Sequence, residues 1–217
     1  MNKMNEISVF EYDISQPFKH DIDFLSSDEK ERLKKITNNK RSSEFLHSRY
    51  YLKKHLSTLL NKTMPAIHIH YNKHGKPSVC SESIHFSLAH KHNKLALAFS
   101  HSAVGIDIEC STTNCNHEKL AKKILSETEY KLYLNAENKK ETFLVFWSIK
   151  EAITKLEGAA FLVLIKRLEF LKYKDSYYWY KNQANNKTIE VYLEQSNTDI
   201  KTIAYYTEAF DWKHFIH

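Results

Sequence analysis

Trp147-Ser148-Ile149-Lys150-Glu151-Ala152-Ile153-Thr154-Lys155, read with Gly105-Ile106-Asp107-Ile108-Glu109 upstream, decides how this chain is organised. Phe143, Val145, Phe146, Trp147, Ile149, Ile153 and Leu156 supply the apolar side of a helix. Glu151 and Lys155 are four apart and share one face of it. Residues 103–108 read as a strand, and Asp107 and Glu109 are two apart, so the period-two pleat points both carboxylates the same way. If helix and strand pack together, three carboxylates and a lysine converge. Hard cations such as Mg²⁺ are held by oxygen ligands of this kind, usually beside a substrate phosphate.

Each piece also has an ordinary reading. An Asp-x-Glu at a strand end is a solvated edge, and a Glu-x-x-x-Lys pair on a helix surface is worth only about 0.3–0.5 kcal/mol. Glycine usage argues for more. The chain has 3 glycines in 217 residues, where average usage of about 7% gives roughly fifteen. Of Gly75, Gly105 and Gly158, the last two flank the acidic segments. Glycine kept so sparingly marks places where the backbone needs positive φ or close approach by another group.

The 217 residues allow one large domain or two small ones, with a substantial core. Hydrophobic content of 42% and aromatic content of 13% exclude a disordered chain. A formal charge of +6 and a pI near 9.0 suit an acidic partner: nucleic acid, an anionic membrane, a phosphorylated cofactor or an acidic protein. The N-terminus has no signal-peptide apolar region, and no run approaches the ~18 apolar residues of a membrane span. Cys80, Cys110 and Cys115 are too few and too irregular for a disulfide framework. A cytoplasmic protein with reduced thiols is expected.

Along the chain, residues 7–14 alternate as a first strand. Ser26-Ser27-Asp28-Glu29 caps a helix through Leu33 and Ile36. A longer helix follows over 41–60, with Phe45, Leu46, Tyr50, Leu52, Leu56 and Leu59 at helical spacing. Its basic residues Arg41, Arg49, Lys53 and Lys54 read first as a solvated face. Residues 67–71 alternate as a strand before the turn at 72–77. His68, His70 and His74 lack the CxxC or HExxH company of a zinc site. Gly75-Lys76-Pro77 is a glycine turn that can offer a cation and backbone N–H groups to a phosphate. A strand over 84–88 ends near His90, and residues 95–100 and 103–108 are expected to form a hairpin around His101-Ser102. Ser126-Glu127-Thr128-Glu129 fits a capping box. The helix over 141–156 follows, then strands at 168–173, 177–181, 188–193 and 200–206. Trp212 and Phe215 are expected to pack on that sheet.

Gly75-Lys76-Pro77, Phe86-Ser87-Leu88-Ala89-His90, Gly105 to Glu109 and Phe146 to Lys155 occur in the order and approximate spacing of one family. With these motifs the chain resembles the 4′-phosphopantetheinyl transferases of the larger, surfactin-synthetase type. The likeness covers residues 29–158 by motif and the remainder by architecture alone. It implies an α+β fold of two pseudo-symmetric halves, 1–110 and 111–217, with coenzyme A and Mg²⁺ (or Mn²⁺ in its place) in the cleft between them. It implies transfer of the phosphopantetheine arm onto a serine of an acidic acyl or peptidyl carrier protein, by a monomer with no nucleic-acid or membrane partner.

Residue by residue, the resemblance makes Asp107, Glu109 and Glu151 the metal ligands and Lys155 the lysine on the pyrophosphate. Lys76, with Gly75 and Pro77 in its turn, and His90 match contacts to the nucleotide and its 3′-phosphate. Arg49 resembles a basic position near the coenzyme. Glu129 lies where the family carries a site acid, while its capping-box reading stands beside that. Glu151 is the candidate general base. Two departures appear: Ala89-His90-Lys91 replaces a Ser-His-Ser, losing a hydroxyl and adding a cation, and Ala159 follows Gly158 where a further glycine is usual. Two other readings remain: a metal-dependent nuclease, and a coenzyme- or carrier-binding relative without turnover.

Overall fold

In chain order the first elements are β1 (Ser8–Asp13), α1 (Ser27–Lys34), α2 (Asn39–Leu60), β2 (His70–Tyr71), β3 (Pro77–Ser78), β4 (His85–Lys91), β5 (Lys94–Ser100) and β6 (Val104–Cys110). Then come α3 (His117–Ile124), α4 (Glu127–Asn135), α5 (Lys139–Glu157), α6 (Phe161–Leu164), β7 (Leu168–Lys174), β8 (Tyr177–Asn182), β9 (Lys187–Gln195) and β10 (Asp199–Tyr206). The structure, a computed structural model, describes residues 6–81 and 83–209. Trp212 and Phe215 lie outside them. The fold is α+β, as the resemblance implied.

The second half is built on α5. The Asn138 side chain accepts the Glu141 N–H at its start, and at its end Gly158 adopts φ 60°, the left-handed cap that glycine takes without strain. Phe143, Phe146, Ile149, Ile153 and Leu156 face Tyr180, Ile189, Val191, Leu193 and Ala204 in one core. Those residues line the antiparallel sheet β6-β10-β9-β8-β7. At ~25 cal/mol per Å² of apolar surface, such burial is the main source of stability.

The first half repeats the idea on a smaller scale. Its sheet has the order β1-β5-β4, and Leu52 and Leu56 of α2 pack on Phe86, Leu95, Leu97 and Phe99. Strand alternation then sends Ala89, Ala96 and Ala98 the other way, against Val104, Ile106, Ile108 and Ile203 of the second sheet. These small side chains let the two sheets approach. Ser87 Oγ accepts the Ile106 N–H at 3.1 Å, tying β4 to β6.

The expected hairpin between 95–100 and 103–108 does not form. β5 is a central strand, hydrogen-bonded by β1 on one edge and β4 on the other, so it has no free edge for β6. Residues 101–103 instead carry the chain across to the second sheet, where β6 pairs with β10. β6, although it precedes residue 110, is thus hydrogen-bonded into the second half's sheet. The strand read at 67–71 shrinks to His70–Tyr71, paired with Pro77–Ser78 around the Asn72–Lys76 turn.

A shared device marks both halves. Ser26 and Glu29 form a complete capping box on α1, and Ser126 and Glu129 form one on α4. In each, the box glutamate holds a fully buried lysine of the next long helix: Glu29 holds Lys53 at 2.5 Å and Glu129 holds Lys150 at 2.9 Å. Among the described residues, no helix is long and apolar enough to cross a membrane.

Candidate functional site

The site begins with Gly105. A Cβ there would stand 2.0 Å from the Ala152 carbonyl oxygen, so only glycine lets α5 lie this close on β6. Two residues further along the same strand face, Asp107 meets the helix. Its Oδ2 accepts from the Ser148 hydroxyl at 2.9 Å, and its Oδ1 accepts from Lys155 Nζ at 2.8 Å. Thr202 of the neighbouring β10 lies 2.9 Å from the Ser148 hydroxyl and donates to the Ser148 carbonyl. Asp107 is therefore fixed by strand, helix and sheet together.

Glu109 continues the row. Its Oε2 is 2.7 Å from Lys91 Nζ, at the end of β4, and accepts from Thr113 Oγ1 at 3.3 Å. Both acids are buried, with 6% and 7% of their surface exposed. Glu151, on α5, is close enough to feel the charge of both. Burial, then the negative charge of Asp107, raise its carboxyl above the ordinary value; Lys155 pulls it back and Glu109 adds to the rise. The structure thus brings Asp107, Glu109, Glu151 and Lys155 into one electrostatic group on the α5–β6 seam.

The donor chemistry fits Mg²⁺: three carboxylates supply hard oxygens and excess negative charge. Among the described residues, however, no three His, Cys, Asp or Glu side chains stand as a ready-made metal cluster. Asp107 and Glu109 are each turned onto a lysine ammonium, Lys155 and Lys91 respectively. The centre as folded is an alternation of acids and amines.

The other residues singled out by sequence fall at four places: the Gly75 turn, His90, Arg49 and Glu129. Gly75, with φ 87°, closes a turn in which Asn72 Oδ1 accepts the His74 and Lys76 N–H groups. The turn docks on the end of α5: Asn72 Nδ2 donates to the Gly158 carbonyl at 2.8 Å and Lys76 Nζ to the Leu156 carbonyl at 2.7 Å. A cation at a helix C-terminus is favourably placed against the helix dipole. Burial pulls the Lys76 ammonium down to about 8, against a smaller opposing pull from Glu157. Pro77 begins β3 behind it.

His90 is half-exposed, and its Nε2 lies 3.7 Å from Glu44. Arg49 is buried and committed internally: its Nε is 3.2 Å from Glu29, its Nη2 donates to the Tyr71 hydroxyl, and its guanidinium lies over Phe45. Glu129 is wholly buried away from solvent. Its carboxylate accepts from Ser126 N and Tyr180 OH, each at 2.7 Å, and is ion-paired with Lys150 Nζ at 2.9 Å. The capping box is its role in this fold.

Sequence reasoning missed two participants. Ser148 lies seven residues before Lys155 on the same helical face, and that spacing carried the signal. Lys91 was noted only as an added cation; strand alternation puts it on the face opposite Glu109 only once β4 and β6 are known to be neighbours.

Fold and site together define an α+β protein whose two main sheets meet beside a partly buried centre of three carboxylates and two lysines. The family model of the 4′-phosphopantetheinyl transferase superfamily matches residues 103–208 of the chain. It is 30% identical over 154 residues to the 4′-phosphopantetheinyl transferase gsp of Aneurinibacillus migulanus, covering 68% of this chain and 63% of that one. To the 4′-phosphopantetheinyl transferase HetI of Nostoc sp. it is 29% identical over 141 residues, 62% of this chain and 60% of the relative. The chain thus spans about three-fifths of the length of these curated relatives. A solved structure, the holo-[acyl-carrier-protein] synthase of Thermotoga maritima, aligns at 23% identity over 48% of this chain and 62% of its own, with a TM-score of 0.33.

Proposed function

We propose that this chain transfers the 4′-phosphopantetheine arm of coenzyme A to a serine of an apo acyl or peptidyl carrier protein, in the cytoplasm and as a monomer of the larger, surfactin-synthetase type. The observation that carries this reading is the α5–β6 seam, where Asp107, Glu109, Glu151 and Lys155 gather in a chain that the superfamily model matches. Asp107, Glu109 and Glu151 would hold Mg²⁺. When bound, that ion would supply positive charge at the pyrophosphate bridge as it breaks, one phosphate moving with the pantetheine arm and the other leaving as adenosine 3′,5′-bisphosphate.

The protein's own groups do the rest. Lys155 adds a fixed cation for the same leaving group, released from Asp107 as the anion arrives. Glu151, with its carboxyl raised by burial and by Asp107, is suited to accept the proton of the attacking serine. Lys76, on giving up the Leu156 carbonyl, and His90 would meet the nucleotide and its 3′-phosphate. Arg49 acts from behind, ordering Tyr71 next to the Gly75 turn. The net charge of +6 draws an acidic carrier protein to the surface and speeds encounter.

The test is direct. The protein is incubated with coenzyme A, Mg²⁺ and an apo carrier protein, and the carrier is weighed by mass spectrometry. A gain of one phosphopantetheine, absent without Mg²⁺, is expected. An unchanged carrier mass across fatty-acid, polyketide and peptide-synthetase carriers removes the proposal.

A further inference from the structure

We propose that Lys91 is a built-in counter-cation of the acidic centre, one that competes with the divalent ion for Glu109 and so sets how tightly the ion is held. The inference rests on the reading of Asp107, Glu109 and Glu151 as the metal-binding acids.

The observation is the ion pair itself. Lys91 Nζ lies 2.7 Å from Glu109 Oε2, the oxygen that also accepts from Thr113. A divalent ion on that carboxylate would sit ~2.1 Å from oxygen, and two cations that close repel strongly. Lys91 must therefore leave before the ion can settle. Its stem is not loosely placed. Lys91 closes the β4 side of a tight hairpin in which His92 takes φ 52°, and it sits opposite Lys94 in the β4–β5 ladder. The hairpin tip is clamped to the second sheet twice, by Lys91 on Glu109 and by Lys94 on Asp199 at 2.5 Å. Ile14 N–H also bonds to the Asn93 carbonyl at 2.7 Å.

The facing charges are few. Glu109 and, beyond it, Glu151 and Asp107 are negative; Lys155 is already committed to Asp107. With Lys91 in place, the three acids are offset by two amines rather than one. A divalent ion thus meets a centre with one less net negative charge.

Lys94 supplies the control, because its pair clamps the same hairpin without touching the acidic centre. Mn²⁺ binding to the full chain without coenzyme is measured by titration calorimetry and by electron paramagnetic resonance of free Mn²⁺. Lys91→Met is expected to bind Mn²⁺ about tenfold more tightly than wild type, and Lys91→Ser to shift the same way. Lys91→Arg and Lys94→Met are expected to keep wild-type affinity. Circular dichroism and thermal unfolding establish that each variant is folded, and Lys91→Ser stands in if the Met variant is not.

Equal or weaker Mn²⁺ binding in the neutral Lys91 variants overturns the proposal while leaving the metal-site reading intact. An equal gain in Lys94→Met overturns it too, since loosening of the hairpin then explains the effect. If neither wild type nor Asp107→Asn binds Mn²⁺ and the Lys91 variants do not either, both readings fall.

Discussion

Gly105 of β6 lies against the backbone of Ala152 in α5, with 2.0 Å between a notional Cβ and the Ala152 carbonyl oxygen and 2.6 Å to the Leu156 nitrogen. Both obstacles are helix backbone, which cannot rotate aside. Gly105→Ala must push α5 off the sheet, and overpacking of this kind costs about 3 kcal/mol or more. Denaturant unfolding is expected to show that loss. Transfer is expected to fall further than the folded fraction does, since the same shift separates Asp107 from Ser148 and Lys155. A variant as stable as wild type would mean that the helix does not rest on Gly105.

Asp107→Asn and Glu151→Gln separate chemistry from folding. Each removes one charge from the centre with almost no change of shape. Asp107 retains Ser148 as a partner, and Lys155 is part-exposed and can reach water. Holo-carrier formation, followed by mass spectrometry, is expected to drop by roughly 10²–10³-fold in each. The unfolding temperature is expected to stay within a few degrees of wild type. Full activity in either variant removes the assigned roles.

Lys76 makes a prediction about pH. Its folded value, about 8, lies below the ordinary lysine value of 10.5. Between these values the unfolded chain binds the proton that the folded chain has given up, so this residue's contribution to stability rises with pH from about 8 to 10.5. Below about 8 both states are protonated, and the cost of burying the ammonium is fully present. The stability difference between wild type and Lys76→Met, measured by urea unfolding across that range, is expected to move toward wild type by at most about 3 kcal/mol. A difference that stays flat would place Lys76 in water instead of against the Leu156 carbonyl.

Much of this was legible from local pattern. The period-two step from Asp107 to Glu109 and the four-residue step from Glu151 to Lys155 put these side chains on a strand and a helix that pack together, with Lys155 Nζ on Asp107 Oδ1. The scarcity of glycine pointed to positive φ or close approach at these positions, and the structure shows close approach at Gly105 and a left-handed cap at Gly158. The β5–β6 hairpin misled because adjacency in sequence says nothing about which strand edges are already filled. β5 is taken on both sides, and only the whole sheet reveals that. The pairing of Lys91 with Glu109 was hidden for the same reason: it needs β4 and β6 side by side. The likeness of the two capping boxes had a signal, a Ser-x-x-Glu followed in each case by a lysine in the next long helix. It became readable only when Lys53 and Lys150 were seen to answer the two glutamates alike.

That duplicated pair yields the last prediction. Lys150 adjoins Glu151 in sequence, and its ammonium is buried against Glu129, which Tyr180 and the Ser126 N–H also hold. Burial, with the Glu129 charge next in size, keeps the Tyr180 hydroxyl well above its ordinary value and so protonated. Breaking a buried pair from one side leaves a charge uncompensated, at a cost of about 3–5 kcal/mol. Lys150→Met and Glu129→Gln are each expected to lose stability on that scale. The double variant is expected to lose less than the two together, with a coupling of about 1–3 kcal/mol in a double-mutant cycle. If the pair sets the rotation of α5, and with it the direction of Glu151, transfer per folded molecule recovers in part alongside stability in the double variant. Additive losses in the cycle would mean that Lys150 and Glu129 act independently, and that the rotation of α5 is set by its apolar face alone.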